Sequence, residues 1–226
     1  MRIMKSTDIY FITATKMHHY DFWCNSHLGK FLRKAKVSDQ TYVAYNNKQG
    51  LSEIYNHAIL ECEHDYVVCV HDDVVIEDIF WFEKLKEGFE NYDILGLAGS
   101  SNTEIKSPAL WHLMSPREQW MGFVNHYIPN TNQSFATSFG PSPSRCIVMD
   151  GLFLAANRKA LMDNGVLFDP QFDFHHYDID FCLRANKAGL KMSTVPIHVT
   201  HASGGLSSTD NERWKNSEKR FLAKYS

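Results

Sequence analysis

The chain contains 226 residues, of which 44% are hydrophobic and 13% aromatic, so it can bury a substantial core and is most simply interpreted as one domain. This composition excludes a disordered scaffold. The formal net charge of −3 provides no overall cationic field for phosphate backbones, so we expect no nucleic-acid partner.

The cysteines and the apolar stretches both indicate a cytoplasmic protein. The five cysteines form no CxxC pair and follow no secretory leader, which predicts reduced thiols. Charged residues interrupt each apolar stretch well before it reaches the roughly 20 residues needed to cross a bilayer. We therefore expect no transmembrane segment and a cytoplasmic location, with peripheral binding at the inner face of a membrane as an alternative.

The first half of the sequence alternates short strand patterns with longer helical patterns, which is typical of an α/β fold with a largely parallel sheet. The predicted strands cover residues 9–15, 41–46, 66–70 and 94–99. The predicted helices cover residues 19–36, a segment beginning at Leu51, and a segment that carries Phe82, Leu85 and Phe89. Sheets of this class bind ligands beyond the carboxyl ends of their strands.

The second half begins with a segment in which periodicity fails. Residues 100–145 mix small polar residues, Pro and Gly with Trp111 and Trp120, which indicates a long functional excursion. We interpret the two tryptophans as sugar contacts, with a packed surface loop as the alternative. Strand character resumes at residues 146–156, and a later helix is closed by Gly189.

The tail, residues 208–226, carries Trp214, Phe221 and Tyr225 among basic residues, which predicts an amphipathic helix. Weak binding to an anionic membrane surface is one use of such a helix. Docking on the core is the interpretation that we favour.

Two adjacent carboxylates end the most apolar predicted strand, where His71, Asp72 and Asp73 follow residues 66–70. Two acids beside a low-dielectric core repel each other, and a divalent cation bound between them and a ligand makes the arrangement favourable. Oxygen ligands suit Mg²⁺ or Mn²⁺, and the neighbouring imidazole favours Mn²⁺. The alternative is a turn in which one of the acids caps the next segment.

A second acidic motif contains Tyr177, Asp178 and Asp180, followed by Arg184. Residues two apart on a helix do not share a face, so Asp178 and Asp180 have different expected roles. The four-residue spacing of Asp180 and Arg184 predicts an ion pair. Asp178, just ahead of the helix, can point out of the fold and accept the proton of an incoming hydroxyl. Its alternative role is an N-cap.

A third motif places two histidines close together after a late predicted strand. His198 and His201 precede Ser203, Gly204 and Gly205, and the glycine pair is able to flex. Histidines beside a mobile loop suit a metal site that closes around its substrate. We favour His201 as a metal ligand and include His198 as a second candidate, with a satisfied core histidine as the alternative.

In this order, the segments resemble the inverting GT-A-fold glycosyltransferases of the family 2 type, over residues 9–207. The similar segments are the His71-Asp72-Asp73 sequence (the DxD-type metal signature), residues 50–59 (the first crossover helix), residues 150–154 (the central acceptor-half strand), residues 177–184 (the ED-x-D-L-x-x-R segment) and residues 201–205 (the late histidine). The His198-x-x-His201 spacing is also similar to the paired metal ligands of beta-1,4-galactosyltransferases. Two positions depart from the family pattern, since His71 replaces the first Asp of DxD and Tyr177 replaces a Glu that many relatives carry.

The resemblance implies a single GT-A domain with a mostly parallel central sheet. The nucleotide-binding half would cover residues 1–100, the acceptor half residues 101–207, and the tail the remainder. Asp73 would bind the metal, Asp72 would contact the ribose or the metal shell, and Asp178 would be the catalytic base. The implied substrates are a nucleotide-sugar donor, with UDP as the default nucleotide, and a hydroxyl of a glycan or glycoconjugate acceptor.

Further donor contacts are expected at the ligand-facing edge of the first half. Asn46 and Asn56 are candidates for contacts to the base or ribose, each with a turn role as the alternative. Thr13 and Asp150 complete the predicted donor-binding set.

Two other functions fit parts of this pattern. A noncatalytic nucleotide-sugar or glycan-binding module would keep the fold, but it has no need for Asp178. A metal-dependent nucleotidyltransferase or phosphohydrolase would release pyrophosphate or phosphate, but the sequence contains neither a glycine-rich P-loop nor a strongly basic triphosphate cradle. A hexosyltransferase that builds a polysaccharide or protein glycan is the prediction that we favour.

Overall fold

A computed structural model describes residues 4–102, 110–129, 131, 133–202 and 211–225. The helices are α1 (His19–Asn25), α2 (His27–Lys34), α3 (Leu51–Glu61), α4 (Trp81–Phe89), α5 (Trp111–Met114), α6 (Arg158–Asp163), α7 (Tyr177–Lys187) and α8 (Asn211–Tyr225). The strands are β1 (Ile9–Ala14), β2 (Thr41–Ala44), β3 (Tyr66–Val70), β4 (Val74–Ile76), β5 (Ile94–Gly96), β6 (Ala98–Ser100), β7 (Trp120–Ile128), β8 (Gln133–Ser138), β9 (Val148–Met149), β10 (Phe153–Asn157), β11 (Met192–Thr194) and β12 (Val199–His201). The predicted flexible residues Ser203, Gly204 and Gly205 lie outside the described residues.

The central sheet has the strand order β11-β5-β10-β3-β1-β2. Among these described strands, β10 alone runs antiparallel to its neighbours, and the other five share one direction. Residues 67–70 of β3 are all buried, as expected for a strand covered on both faces. The predicted mostly parallel central sheet is confirmed.

The second sheet contains a hairpin in the segment predicted to be irregular. Its strand order is β4-β12-β7-β6-β9, and β8 pairs with β7. The expectation of a long irregular excursion at residues 100–145 is therefore wrong. Strand β8 has no buried residue, so its sequence lacks the apolar alternation by which a half-buried strand is recognised.

Two predicted strands each divide between the two sheets. Residues 94–99 form β5 in the central sheet and β6 in the second sheet, and residues 146–156 form β9 in the second and β10 in the central sheet. The turn at residues 150–152 joins β9 to β10. It lies beside the residues that follow β3, because Phe153 pairs with Val70.

The predicted helix over residues 19–36 is two helices, α1 and α2, which meet at Ser26. The Ser26 hydroxyl accepts a hydrogen bond from the Gly29 N–H at 2.8 Å and donates one to the Phe22 carbonyl at 2.7 Å. It therefore caps α2 and satisfies a carbonyl of α1. Apolar periodicity continues across the break, so the pattern alone does not reveal the cap.

Helix α8 docks on the core, as we favoured for the tail. Phe221 is 1% exposed, and its ring packs against Phe172 and His176 at centroid distances of 5.9 and 5.3 Å. Lys224 contacts the buried carboxylate of Asp180 at 2.5 Å. Of the helices in the described part of the chain, none is both long enough and apolar enough to span a membrane.

Truncating Phe221 should test how firmly α8 is docked. We expect Phe221→Ala to lower the free energy of unfolding by about 3–5 kcal/mol, because the change removes a fully buried ring and leaves a cavity. The matched control is Leu222→Ala on the same helix. Leu222 is 44% exposed, so its loss should change stability by only about 0.5 kcal/mol. Urea unfolding of both variants measures the difference, and equal effects would contradict the docking.

Candidate active site

Hydrogen bonds on both sides hold the residues that follow β3. The His71 N–H donates to the Leu152 carbonyl at 3.1 Å, and the Ala202 N–H donates to the Asp73 carbonyl at 2.9 Å. Strand β12 pairs antiparallel with β4, so His201 lies opposite Val74. The end of β3 is therefore tied to the β9–β10 turn and to the late histidine strand.

The side chains of His71, Asp73 and His201 form a group that fits a metal ion. One ligand atom from each lies within 4.8 Å of the other two, and His201 Nε2 is 3.4 Å from Asp73 Oδ2. The other carboxylate oxygen, Asp73 Oδ1, is buried and has no hydrogen-bond partner among the described residues. A cation would satisfy this oxygen. Two imidazoles and one carboxylate suit a transition-metal ion such as Mn²⁺ better than Mg²⁺, which prefers oxygen ligands.

The charges of this group are mutually adjusted in the absence of metal. Burial alone would raise the pKa of Asp73, but the hydrogen bond and charge of His201, helped by His71, lower that pKa. Burial alone would lower the pKa of His201, but the hydrogen bond and charge of Asp73 raise it. Burial lowers the pKa of His71 despite the nearby carboxylates, so its imidazole favours the neutral form in which histidine binds metals.

Asp178 lies in the first turn of α7 and is oriented by backbone donors. The N-cap is His176, in the left-handed region at φ 67°, so the alternative N-cap role of Asp178 does not apply. Asp178 Oδ2 accepts from the Gly151 N–H at 2.8 Å, and Oδ1 accepts from the Ile179 N–H at 2.9 Å. Burial, and then the charge of Asp150, raise the pKa of Asp178 to about 7. A carboxylate with this pKa can exchange a proton near neutral pH.

Tyr177 places this turn of α7 against the metal-binding group. Its hydroxyl lies 2.9 Å from His71 Nε2 and donates to the Gly151 carbonyl at 3.0 Å. Gly151 also donates its N–H to Asp178. Asp178 and the group that contains Asp73 therefore lie at one site, at the carboxyl end of β3.

The next acid of the motif has a structural role. Asp180 is fully buried, and its Oδ2 pairs with Arg184 Nε at 2.9 Å. The predicted ion pair between residues four apart is therefore present. Lys224 and Tyr225 of α8 contact the other oxygen of Asp180.

Comparison with known families identifies the chain. A model of a glycosyltransferase-like family matches residues 10–225, which is nearly the whole sequence. The chain belongs to this family. It is a glycosyltransferase, and the expected family 2 type and GT-A fold are confirmed. A search of curated protein sequences found no significant match.

Solved structures with similar folds differ widely from this glycosyltransferase in sequence. The crystal structure of A197 from STIV aligns at a TM-score of 0.51 and 12% identity, covering 83% of this chain and 81% of that chain. A mutant of Drosophila beta-1,4-galactosyltransferase 7 in complex with manganese, UDP-Gal and xylobiose gives 0.45 at 10% identity, covering 82% of this chain and 64% of that chain. The catalytic domain of the same enzyme with xylobiose gives 0.40 at 11% identity, covering 82% and 63%.

His198 does not join the metal-binding group of the glycosyltransferase, which corrects the expectation for this residue. Its Nε2 lies 2.5 Å from the amide nitrogen of Asn125, and its Nδ1 lies 3.7 Å from Glu77. Successive side chains of an extended segment alternate between faces, so residues three apart, such as His198 and His201, point to opposite sides. The i, i+3 spacing that brings two ligands together on a helix separates them here.

Two of the predicted donor-binding residues are occupied or enclosed by the fold. Thr13 is fully buried within β1, so its side chain is closed to a ligand, and the prediction for it is corrected. The Asn56 amide donates to the Phe168 carbonyl at 2.7 Å and accepts from the Phe168 N–H at 2.8 Å. Asn56 therefore joins α3 to the segment before α7, in place of the expected nucleotide contact.

The other predicted donor residues lie at the site edge. Asn46 is exposed after β2, in the left-handed region at φ 49°, which asparagine tolerates better than most residues. Burial raises the pKa of Asp72, and a hydrogen bond from the Thr15 hydroxyl opposes that rise. Asp150 accepts from the Leu152 N–H at 3.0 Å, and its charge reaches Asp178 and both histidines of the metal-binding group.

The tryptophans of the predicted excursion are packed together. Trp111 is 3% exposed, and its ring contacts Phe139 at a centroid distance of 5.0 Å and Trp120 at 6.3 Å. Trp120 Nε1 donates to the Ser115 carbonyl at 3.0 Å. The alternative interpretation, a packed segment, therefore describes Trp111, whose ring is not open to a sugar.

Sequence reasoning missed His126, which neighbours the metal-binding group. It lies on β7 in direct register with His201 on β12, and the two ring centroids are 6.1 Å apart. Phe135 of β8 stacks on the other side at 4.8 Å. Its strand falls in the segment where periodicity fails, so no local signal indicates it. His71 was visible as the histidine at the DxD position.

The role of Asn56 can be tested directly. We expect Asn56→Ala to lower the free energy of unfolding by about 1–3 kcal/mol, because it leaves the backbone N–H and carbonyl of buried Phe168 unpaired. Affinity for nucleotide should be unchanged in the folded variant. The exposed Asn91→Ala serves as the control for stability. A loss of nucleotide affinity without a loss of stability would restore Asn56 as a donor contact.

Proposed function

We propose that this glycosyltransferase is metal-dependent and inverting, and that it transfers a hexose-type sugar from a UDP-sugar to a hydroxyl of a glycan or glycoconjugate. One observation carries the proposal. His71, Asp73 and His201 converge at the carboxyl end of β3, and Tyr177 and Gly151 hold the carboxylate of Asp178 beside them.

The three converging side chains support metal dependence. His71, Asp73 and His201 would hold the ion, and the unpartnered Asp73 Oδ1 supplies a ligand oxygen that is already dehydrated. A bound Mn²⁺ would act as a Lewis acid that offsets charge on the departing diphosphate. Asp72 and Asn46, at the carboxyl ends of β3 and β2, are the residues we propose for the nucleoside side of the donor.

Asp178 is the proposed catalytic base. Two backbone N–H groups fix its carboxylate, so its orientation requires no reorganisation when the acceptor arrives. With its pKa raised to about 7 by burial and Asp150, it binds a proton more strongly than an ordinary aspartate does. It would take the proton of the acceptor hydroxyl as that oxygen attacks the anomeric carbon. A single displacement of this kind inverts the anomeric configuration.

A noncatalytic binding module is the second candidate, and the geometry of Asp178 disfavours it. Holding two carboxylates, Asp178 and Asp150, close enough to raise a pKa by several units is unfavourable for stability. Such an arrangement is typical of sites that carry out chemistry.

A panel of nucleotide sugars tests the proposal. The protein is incubated with each donor in the presence of Mn²⁺, Mg²⁺ or EDTA, and nucleoside diphosphate release and thermal shift are recorded. We expect release from a UDP-sugar with Mn²⁺ and none with EDTA. Thermal shifts without release from any donor, with glycan acceptors present, would support the binding module. Equal release in EDTA would refute metal dependence.

Replacing the proposed base should abolish turnover and spare binding. We expect Asp178→Asn to reduce transfer by about 10²- to 10⁴-fold with little change in donor affinity, because only proton removal is lost. The wild-type rate should fall about tenfold per pH unit below about pH 7, since the base acts only when deprotonated and its pKa is raised to about 7. The exposed Asp163→Asn is the matched control. Near-normal turnover of Asp178→Asn would remove its assigned role.

The two late histidines form a natural pair of test and control. We expect His201→Ala to abolish measurable Mn²⁺ binding and transfer, because it removes one of three ligands and leaves Asp73 unpaired. His198→Ala should retain both, because that ring lies with Asn125 and Glu77. Isothermal titration with MnCl₂ and the transfer assay measure the two effects. Equal loss in both variants would show that the ligand set is misassigned.

A further inference from the structure

The two positions at which this chain departs from the family pattern are in contact. His71 takes the place of the first DxD aspartate, and Tyr177 takes the place of a glutamate. The Tyr177 hydroxyl lies 2.9 Å from His71 Nε2 although the residues are 106 positions apart. Tyr177 is 3% exposed, so solvent does not supply the partner of either group. The two replacements therefore belong to one local arrangement.

The direction of the hydrogen bonds follows from the number of protons. A tyrosine hydroxyl has one proton, and Tyr177 donates it to the Gly151 carbonyl at 3.0 Å. The hydroxyl can then only accept from His71, so His71 carries its proton on Nε2. Nδ1 is left as the ring nitrogen with a free lone pair. A neutral imidazole with one nitrogen held by a hydrogen bond is the usual form of a metal-binding histidine.

Gly151 makes this arrangement possible. A Cβ atom at this position would lie 2.3 Å from the Tyr177 hydroxyl and 2.7 Å from Asp178 Cβ, which is closer than atoms approach. The same residue accepts from Tyr177 through its carbonyl and donates to Asp178 through its N–H. One glycine therefore positions both the proposed base and the tyrosine that contacts a proposed metal ligand.

We propose that Tyr177 is a positioning residue of the metal site, which selects the His71 tautomer and fixes the ring so that Nδ1 faces the cation. This inference rests on the metal dependence proposed above. The carboxylate that DxD relatives place at this position needs no tautomer selection, whereas an imidazole does. The His71–Tyr177 pair is thus a unit that replaces a carboxylate ligand by a neutral nitrogen ligand and favours Mn²⁺ over Mg²⁺.

Metal binding in the absence of any substrate tests this role. We expect Tyr177→Phe to weaken Mn²⁺ binding by about 10- to 100-fold, the usual effect of removing an outer hydrogen-bond partner of a metal-binding histidine. The matched control is Tyr225→Phe, which removes a tyrosine hydroxyl bonded to Asp180 at 2.7 Å. It should leave Mn²⁺ affinity unchanged. Isothermal titration measures the affinities, and thermal unfolding identifies any variant that is not folded.

The tautomer itself provides a readout that a purely structural role would not change. In ¹⁵N-detected histidine spectra of the metal-free protein, the His71 ring should show the Nε2–H form, and Tyr177→Phe should lose this preference while remaining folded. Failure of the wild type to bind Mn²⁺ would overturn the metal-dependent function and this inference with it. Wild-type binding that Tyr177→Phe retains in full, or an Nδ1–H tautomer at His71, would overturn this inference alone.

Discussion

The pairing of β12 with β4 is the constraint on which the site depends. It sets His201 opposite Val74, and the Ala202 N–H fastens the same strand to the Asp73 carbonyl. A partly buried carboxylate is unfavourable unless a charge or hydrogen-bond donor faces it, and His201 provides both. Without this pairing, Asp73 would be left uncompensated at the end of an apolar strand, and the metal-binding group would lack its third member.

The β9–β10 turn is the second constraint. Because β10 pairs with β3, the turn that holds Gly151 lies against the residues after β3 and against the first turn of α7. Its peptide orients Asp178 and Tyr177 together. Helix α8 supports the same turn of α7 from the other side, since it packs on His176 and contacts Asp180, the residues on either side of the Tyr177-Asp178 pair. The C-terminal tail therefore contributes to the rigidity of the site.

The outcome of each residue assignment reflects how local its evidence was. Asp73 and His201 each end or follow a short apolar strand, so sequence alone places them at a strand end where ligands bind. His198 was assigned from its spacing to His201, and spacing has opposite meanings on helices and strands. Asn56 was assigned from its position near the expected nucleotide edge. Its amide is used by the Phe168 backbone, which lies far away in sequence.

The sequence by itself determined the alternating α/β pattern, the mostly parallel central sheet, and the motif residues Asp73, Asp178 and His201. These rest on local periodicity and on family-type motifs, which nearest neighbours along the chain encode. Tertiary structure decided which residues meet: that His71 joins the metal-binding group, that Tyr177 contacts it, and that β7 brings His126 alongside. Such contacts depend on strand register and on turns that cross between two sheets, and a shift of one residue would turn every side chain of a strand to the other face.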